Sequence, residues 1–370
     1  MNIDQAIGRL LWVGIRGSSP GDPTLERELD ACAGAHVGGI ILFDVDVPER
    51  TRRLEAGDDD AAARLAAPRN IIDPQQTRAL CAYLRERLGE HLIISIDQEG
   101  GRVARLNPAR GFPESPAARD YAALPDDLRH AAAGTLARTV ADAGIDMNLA
   151  PCIDVAVNPD GPGHTAAGRS FGRDPRSVAQ HAAEQIDAMH AEGVACTLKH
   201  FPGHGSARGD THMGLVDITD TFVEDDELVP YHLLLGTEGP AAAPADSVMV
   251  SHLVHRGFDP QWPCSLSRPI IHGLLRERMG FDGLVLTDSL DMRAIADRVS
   301  ASEAAVRALE AGADIALEAN NLFHVEPCPA PEMHGSIRSA IADGRLSEQR
   351  IMQSVERLET FSERMRARRM

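Results

Sequence analysis

The chain has 370 residues, which is enough to bury a large hydrophobic core, and its formal net charge is -18. This acidity argues against nucleic acid or an anionic membrane as a partner, because both are negatively charged themselves. No stretch approaches the roughly 18 consecutive apolar residues of a membrane-spanning helix, and the first residues lack the pattern of a secretory signal. We therefore expect a cytoplasmic protein whose six cysteines, none in a CxxC pair, are reduced and bind no zinc.

Eight short apolar segments recur along the chain, separated by stretches with a helical pattern. Their apolar residues are continuous, as in strands that are buried on both faces of a parallel sheet. The predicted strands are 10–15, 39–43, 92–97, 146–150, 194–199, 247–252, 284–288 and 314–318. This alternation predicts an α/β fold, a (β/α)8 barrel of the TIM type in a single domain, with an open doubly wound sheet as the second interpretation.

The segments between the strands give further expectations. Amphipathic helices are predicted over 77–88, 267–279 and 293–310. The polar segment 47–69 indicates a surface excursion between the second strand and the next helix. A helix over 347–365, with Ser347 as its N-cap, is expected to pack on the outside of the barrel. We accordingly divide the chain into a catalytic barrel, residues 1–346, and a C-terminal helical segment, residues 347–370.

Polar, reactive residues stand at the carboxyl ends of four predicted strands. The third strand runs into Asp97 and the motif DQEGGR, the fifth into Lys199 and His200, the sixth into His252 and the seventh into Asp288. In a barrel these strand ends meet at one rim, where barrel enzymes place their chemistry. The four together predict a pocket at that rim.

The loop KHFPGHGSARGDTH, from Lys199 to His212, is the most informative stretch. Its glycines and proline allow sharp turns and close approach of the backbone to other groups. Asp210 and His212 point to the same side of an extended segment, so the carboxylate can hydrogen-bond the imidazole. Such a pair can donate a proton and take one back near neutral pH. The alternative is that Asp210 only caps a backbone amide beside an exposed histidine.

Asp288 is a carboxylate on a rigid strand and could act as a nucleophile at an acetal carbon. Its rival Asp291 is expected to cap or begin the helix that runs through Arg293. Groups suited to a hydroxyl-rich ligand are Asp97, Arg102, Arg105 and Arg169. The arginines could equally pair with surplus surface acids.

A metal site built from His200, His204 and His212 is not favoured. Their spacing matches no helical zinc motif, and Pro202 with its neighbouring glycines keeps the histidines off one helix face. We expect neither a metal nor another cofactor.

These motifs resemble glycoside hydrolase family 3, and within it the single-domain bacterial β-N-acetylglucosaminidases of peptidoglycan recycling. The family hallmark is KHFPGHG, four variable residues and D[ST]H, which stands here at 199–205, 206–209 and 210–212. Upstream, 96–103 and 168–172 match in order, and downstream 265–267, 280–283 and 287–292 match as well. The resemblance covers about 38–357 of the chain.

The resemblance implies a retaining β-N-acetylhexosaminidase that acts on a small carbohydrate, such as a muropeptide-like fragment of the cell wall. By position, Asp288 resembles the nucleophile that forms a glycosyl-enzyme intermediate, and His212 the acid/base with Asp210 as its partner. The positions that match binding of the terminal sugar are Asp97, Arg105, Arg169, Lys199 and His200. The excursion 47–69 is longer than is typical of the family and could reshape the pocket rim.

Three alternatives remain open. The first is a β-N-acetylglucosaminide phosphorylase, because a histidine in place of an acidic carboxylate removes charge repulsion against phosphate. The second is another family 3 β-glycosidase, such as a β-glucosidase. The third is a non-catalytic sugar-binding barrel, which the presence of Asp288 and of the Asp210–His212 pair disfavours. An aromatic content of 4% favours a pocket for a terminal sugar over a long cleft. The sequence makes no prediction of oligomeric state.

Overall fold

The computed structural model describes residues 1–158, 167–236, 239–242, 244–322 and 327–369. Eight parallel strands form the barrel: β1 (Leu11–Gly14), β2 (Gly39–Leu42), β3 (Ile93–Ile96), β4 (Met147–Asn148), β5 (Ala195–Phe201), β6 (Ser247–Val250), β7 (Leu284–Thr287) and β8 (Ala316–Glu318). Their hydrogen-bonded order is β8-β1-β2-β3-β4-β5-β6-β7, and a bridge between Leu286 and Ile315 closes the ring beside β8. The eight predicted strands and the barrel are confirmed.

The strands are short and buried from end to end. In one layer Val13 of β1 pairs with Ile40 of β2, which pairs with Ile94 of β3. All three side chains are fully buried. Continuous apolar segments are therefore required here, because one face of each strand packs inside the barrel and the other under a helix.

Helices surround the strands. Those of seven residues or more are Ile3–Arg9, Pro23–Gly34, Val47–Glu55, Asp60–Ala66, Pro74–Leu88, Asp126–Asp142, Pro175–Ala191, Val229–Leu235, Pro269–Arg278 (a π-helix), Ala301–Ala311, Ala330–Ala342 and Glu348–Arg368. Shorter turns of helix are Pro108–Arg110, Ala118–Ala122, Glu224–Glu227, Cys264–Leu266 and Arg293–Ala296. In the described parts of the chain, no helix has the length and apolarity to span a membrane.

Two expectations about these segments change. The predicted helix 293–310 is two helices, Arg293–Ala296 and Ala301–Ala311, because Ser300 begins the second by accepting a hydrogen bond from the amide of Glu303. The excursion 47–69 contains two helices, and its last residue is not at the surface. The Arg69 guanidinium is buried and donates to backbone carbonyls beyond β1 and β8.

At the amino end of the barrel, a buried aspartate precedes each of three strands. Asp146 precedes β4, Asp246 precedes β6 and Asp314 precedes β8. Each carboxylate accepts a hydrogen bond from a backbone amide of the preceding strand, those of Ile94, Cys196 and Val285, at 2.8, 2.9 and 3.0 Å. These bonds fix the register between neighbouring strands at that end.

The C-terminal helix Glu348–Arg368, with its C-cap residue Arg369, binds all three of these aspartates. Ser347 caps it as predicted, accepting from the amide of Arg350. Arg357 pairs with Asp314 at 3.3 Å, Arg368 with Asp246 at 2.8 Å and Arg369 with Asp146 at 2.9 Å. The helix therefore packs against the barrel, and it neutralises buried charge as well as covering apolar surface.

Candidate active site

A cavity of about 200 Å³ lies at the carboxyl ends of the strands. Seven of the eight predicted site residues line it: Asp97, Arg105, Arg169, Lys199, His200, His212 and Asp288. The eighth, Asp210, is hydrogen-bonded to His212. Strand ends and loops that are far apart in the chain thus meet at one rim, as the barrel requires.

His212 and Asp210 form the predicted pair. The Nδ1–H of His212 donates to Oδ1 of Asp210 at 2.8 Å, and the backbone amide of His212 donates to the same oxygen at 2.9 Å. Burial lowers the pKa of His212, but the hydrogen bond to Asp210 and the charge of Asp288 outweigh it, so this pKa is raised. The hydrogen bond from His212 lowers the pKa of Asp210 to about 2. The ring is therefore oriented, and its protonated form is favoured.

Asp288 directly follows β7, and its position is fixed by the strand. Its amide donates to the Val250 carbonyl on β6 at 3.0 Å, and its Oδ1 accepts from the Ser289 amide at 2.8 Å. Burial acts to raise the pKa of Asp288, but the positive charges of His252, His200 and His212 lower it further than burial raises it. Asp288 is therefore a carboxylate at neutral pH, on a wall of the cavity that it shares with His212.

Paired acidic and basic side chains lie at the cavity, four of them lining it and Glu99 behind them. The Lys199 ammonium lies 2.6 Å from Asp97 and 2.7 Å from Glu99. Arg169 makes a two-point contact with Glu99, at 2.8 and 2.7 Å, and Arg105 lies 3.7 Å from Asp97. Burial acts to raise the pKa of Glu99, but Arg169 and Lys199 hold it well below its usual range. The cluster presents fixed donors and acceptors to a polar ligand.

His200 is oriented by a second buried carboxylate, that of Asp154. The Nδ1–H of His200 donates to Asp154 at 2.7 Å, and Arg169 lies 3.3 Å from the other ring nitrogen. Asp154 also accepts from the backbone amides of His200 and His204, at 3.1 and 2.9 Å. Burial opposes ionisation of Asp154, but the charge and hydrogen bond of His200 keep its pKa well below normal. His204 itself is buried, which lowers its pKa to about 4.

The sequence interpretation missed Glu99 and Asp154. Glu99 lies inside the quoted motif DQEGGR, two residues after Asp97, and Asp154 follows the fourth strand. The signal that singled out Asp97 and Asp288, an acid just beyond an apolar strand, would also have found Asp154. Nothing in the local sequence indicates that Glu99 is the partner of Arg169, since 70 residues separate them.

Three individual expectations were wrong. Asp291 does not cap the helix Arg293–Ala296; its carboxylate lines the cavity and accepts from the Asn321 amide at 2.9 Å. His252 does not line the cavity; it is buried and bonded to the Ser265 hydroxyl and the Ser289 carbonyl, both at 2.7 Å. Arg102 is exposed and does not line the cavity either.

The excursion 47–69 forms part of the cavity wall. Val47 and Arg50 come from its first helix, and Arg64 comes from its second. Arg64 lies 3.7 Å from Asp44, which follows β2, and its side chain is 41% exposed. The excursion therefore adds two cations to the rim, which fits the expectation that it shapes the pocket.

Among the described residues, one group of potential metal ligands is close enough to share an ion: Cys152, Asp154 and His200, whose ligand atoms lie within 4.8 Å of one another. The Cys152 thiol donates to Asp154 at 3.2 Å. Burial and the charge of Asp154 raise the pKa of Cys152 well above its usual value, so the sulfur keeps its proton. A protonated thiol is a poor ligand, and these hydrogen bonds account for the closeness of the three groups.

The chain is similar in sequence to proteins of one known family. A model of the glycosyl hydrolase family 3 N-terminal domain matches residues 3–361. A β-hexosaminidase of Xylella fastidiosa strain 9a5c is 36% identical over 78% of this chain and 82% of its own length. The β-hexosaminidase LpqI of Mycobacterium tuberculosis is 39% identical over 73% of this chain and 68% of its own length.

Solved structures are similar to this fold as well. A glycoside hydrolase family 3 β-N-acetylglucosaminidase from Paenibacillus sp. str. FPU-7 superposes with a TM-score of 0.81 at 33% identity. The match covers 99% of this chain but only 63% of that longer chain. A β-N-acetylhexosaminidase from Beutenbergia cavernae superposes with a TM-score of 0.80 at 29% identity, over 97% of this chain and 98% of that one.

Proposed function

The chain belongs to glycosyl hydrolase family 3, and on this basis we propose that it is a β-N-acetylhexosaminidase that removes terminal, non-reducing β-linked N-acetylglucosamine with retention of configuration. The observation that carries the proposal is the shared cavity of Asp288 and His212, whose surroundings favour a carboxylate on one side and an imidazolium on the other. The relatives named β-hexosaminidase support the choice of sugar.

In the first step, a carboxylate oxygen of Asp288 attacks the anomeric carbon while the bond to the leaving oxygen breaks. The lowered pKa of Asp288 suits this role, because the attacking group must be ionised. The product is a glycosyl ester on Asp288. Its strand-end position, with its amide bonded to β6, holds the nucleophile still while the sugar moves toward it.

His212 handles the proton in both steps. Its Nδ1–H is bonded to Asp210, which leaves Nε2 for the substrate. The imidazolium protonates the leaving oxygen in the first step. The neutral ring then takes a proton from water, which attacks the anomeric carbon and releases Asp288. Asp210 orients the ring and stabilises its charged form.

We assign the cluster of charged residues at the cavity to the terminal sugar. Asp97 accepts hydrogen bonds from hydroxyl groups, while Arg105, Arg169 and Lys199 donate to oxygens of the ring substituents and the His200 ring contacts the same sugar. Glu99 holds Arg169 and Lys199 in place and Asp154 holds His200, so the groups are oriented before substrate arrives. We further place the enzyme in the turnover of cell-wall fragments in the cytoplasm, as the motif resemblance implies.

The test compares aryl N-acetyl-β-glucosaminide with the matching glucoside, each with and without phosphate. We expect free N-acetylglucosamine as the product and Asp288→Ala to abolish turnover. His212→Ala should lose activity on poor leaving groups and recover it on good ones, which depart without a proton. Full activity of Asp288→Ala would refute the nucleophile assignment, and formation of sugar 1-phosphate would identify a phosphorylase instead.

A further inference from the structure

The loop that carries Asp210 and His212 is held at its base by a second buried carboxylate, that of Glu227. Oε2 of Glu227 accepts from the backbone amides of Gly205 and Ser206, at 3.1 and 3.3 Å. Oε1 accepts from the amide of Val223, at 3.2 Å. Glu227 is 1% exposed and does not line the cavity, so it cannot touch the substrate.

The backbone at this point is packed between two groups. A Cβ added to Gly203 would lie 2.8 Å from the Cβ of Glu227, and one added to Gly205 would lie 1.5 Å from the Val155 carbonyl oxygen. The Gly205 carbonyl in turn accepts from the Asn158 amide at 2.9 Å. The glycines of the loop motif thus let the chain pass directly between the Glu227 side chain and the segment after β4.

We propose that Glu227 is a positioning residue for the reaction: its carboxylate fixes the start of the loop whose end places His212 over the cavity. The inference rests on the proposed function for the role of His212. Glu227 lies in the acidic sequence EDDE of the short helix Glu224–Glu227, where its neighbours are partly or fully exposed. Its burial distinguishes Glu227 from these neighbours. A solvated charged turn, the usual explanation for a run of acidic residues, therefore does not account for Glu227.

The charge state of Glu227 controls how firmly it holds the loop. Burial raises its pKa to about 7, although the hydrogen bonds from Ser206 and Val223 act in the other direction. The ionised form offers good acceptors to all three amides, whereas the protonated form offers one good acceptor and a donor that faces N–H groups. The loop is therefore held more firmly at pH 8 than at pH 6.

The surrounding charges are consistent with this switch. The negative charge of Asp154 is the neighbouring charge that raises the pKa of Glu227, and the buried Tyr231 hydroxyl on the next helix stays protonated beside it. His204 lies between Asp154 and Glu227 in the sequence. Its pKa is lowered to about 4, so it is neutral at pH 6 to 8. Glu227 is thus the group bonded to the Gly205 and Ser206 amides whose charge changes between pH 6 and pH 8, whereas His212, whose pKa is also raised, lies at the far end of the loop and is bonded to Asp210.

Hydrogen exchange of the Gly205 and Ser206 amides tests the proposal without substrate. After correction for the intrinsic pH dependence of exchange, wild-type protection at these amides should rise about tenfold from pH 6 to pH 8. Glu227→Gln should stay at the low-pH level throughout, because an amide resembles the protonated acid. Asp225→Asn, an exposed carboxylate on the same helix, should behave as wild type.

Kinetics give the second readout. In Glu227→Gln, kcat/KM should fall about tenfold at pH 8 on a poor leaving group and change little on a good one, since only the former needs a proton from a well-placed His212. Loss on both substrates alike would indicate general destabilisation and overturn the proposal. So would pH-independent wild-type protection, a measurement that holds even if the variant fails to fold.

The two proposals fail separately. If protection of these amides depends on pH but the protein does not cleave N-acetylglucosaminides, the proposed function is refuted and the proposed role of Glu227 in holding the loop stands. If the protein cleaves the substrate but Glu227→Gln changes neither the hydrogen exchange nor the dependence on the leaving group, only the proposed role of Glu227 is refuted.

Discussion

Replacing Asp210 by Asn tests the coupling between the two members of the acid/base pair. Asn has nearly the same shape, and its carbonyl oxygen can still accept the Nδ1–H of His212, now 2.8 Å from Asp210. The ring therefore keeps its orientation, and the change removes mainly the negative charge. Without that charge the imidazolium is less stable, so the pKa of His212 falls.

The size of the effect follows from the pKa of Asp210 itself. His212 lowers that pKa from 3.8 to about 2, and at about 1.36 kcal/mol per pH unit this corresponds to about 2 kcal/mol. The Asp210 side chain is 36% exposed, so solvent screening reduces the coupling to about 1 kcal/mol. Because the interaction is reciprocal, loss of the Asp210 charge should lower the pKa of His212 and destabilise its imidazolium by about 1 kcal/mol.

The pH profile of kcat/KM on an aryl N-acetyl-β-glucosaminide with a poor leaving group is the assay. Its basic limb should move toward lower pH in Asp210→Asn, and the rate above neutrality should fall about fivefold, as a loss of about 1 kcal/mol implies. A substrate with a good leaving group should show little change. Asp220→Asn, an exposed acid ten residues on, is the matched control. A basic limb that stays in place, or moves to higher pH, would refute the reasoning.

Four further outcomes are expected. Glu99→Gln should lower the free energy of unfolding by about 3–5 kcal/mol in a urea titration, because it leaves two buried cations without their full charge partner. The control Glu303→Gln, in a partly exposed ion-pair cluster, should lower it by less than about 1 kcal/mol. Equal losses in the two variants would contradict this prediction. The depressed pKa of Asp154 adds stability above its ordinary value of 3.8 that is lost as pH falls below it, so Asp154→Asn should flatten the acid limb of a thermal-stability profile. Asp314→Asn should destabilise the fold without altering KM, which combined melting and kinetic measurements would show. Arg64→Ala should change KM but leave kcat within about twofold, since Arg64 lines the cavity from the excursion and pairs there with Asp44; a large loss of kcat would contradict a role limited to binding.

The barrel and most of its cavity could be predicted because their signals are local. Each strand is a continuous apolar run, and the residue just beyond it faces the rim, which is how Asp97, Lys199 and Asp288 were found. Ser347 was identifiable as an N-cap for the same reason, since capping depends on residues within one turn.

The features that the sequence did not predict depend on distant contacts. Lys199 meets Asp97 across 102 positions, and only the closed ring brings them together. Glu227 stands in a run of acids whose composition indicates a solvated turn, yet it is buried because a loop from elsewhere packs over it. Arg69 likewise ends a polar excursion, but it is buried because its guanidinium donates to backbone carbonyls just beyond β1 and β8.

The two ends of the barrel have different roles: one fixes the strands, and the other carries the cavity. Three aspartates at the amino end, each bonded to a strand amide and paired with an arginine of the last helix or of its C-cap, fix strand register at the end of the barrel opposite the cavity. Loops at the opposite end can then be lengthened, shortened or exchanged without disturbing that arrangement. The helices inserted between residues 47 and 69 are one such addition. An engineer who wishes to alter substrate choice should therefore graft loops at that end and leave the arginine-bound aspartates untouched.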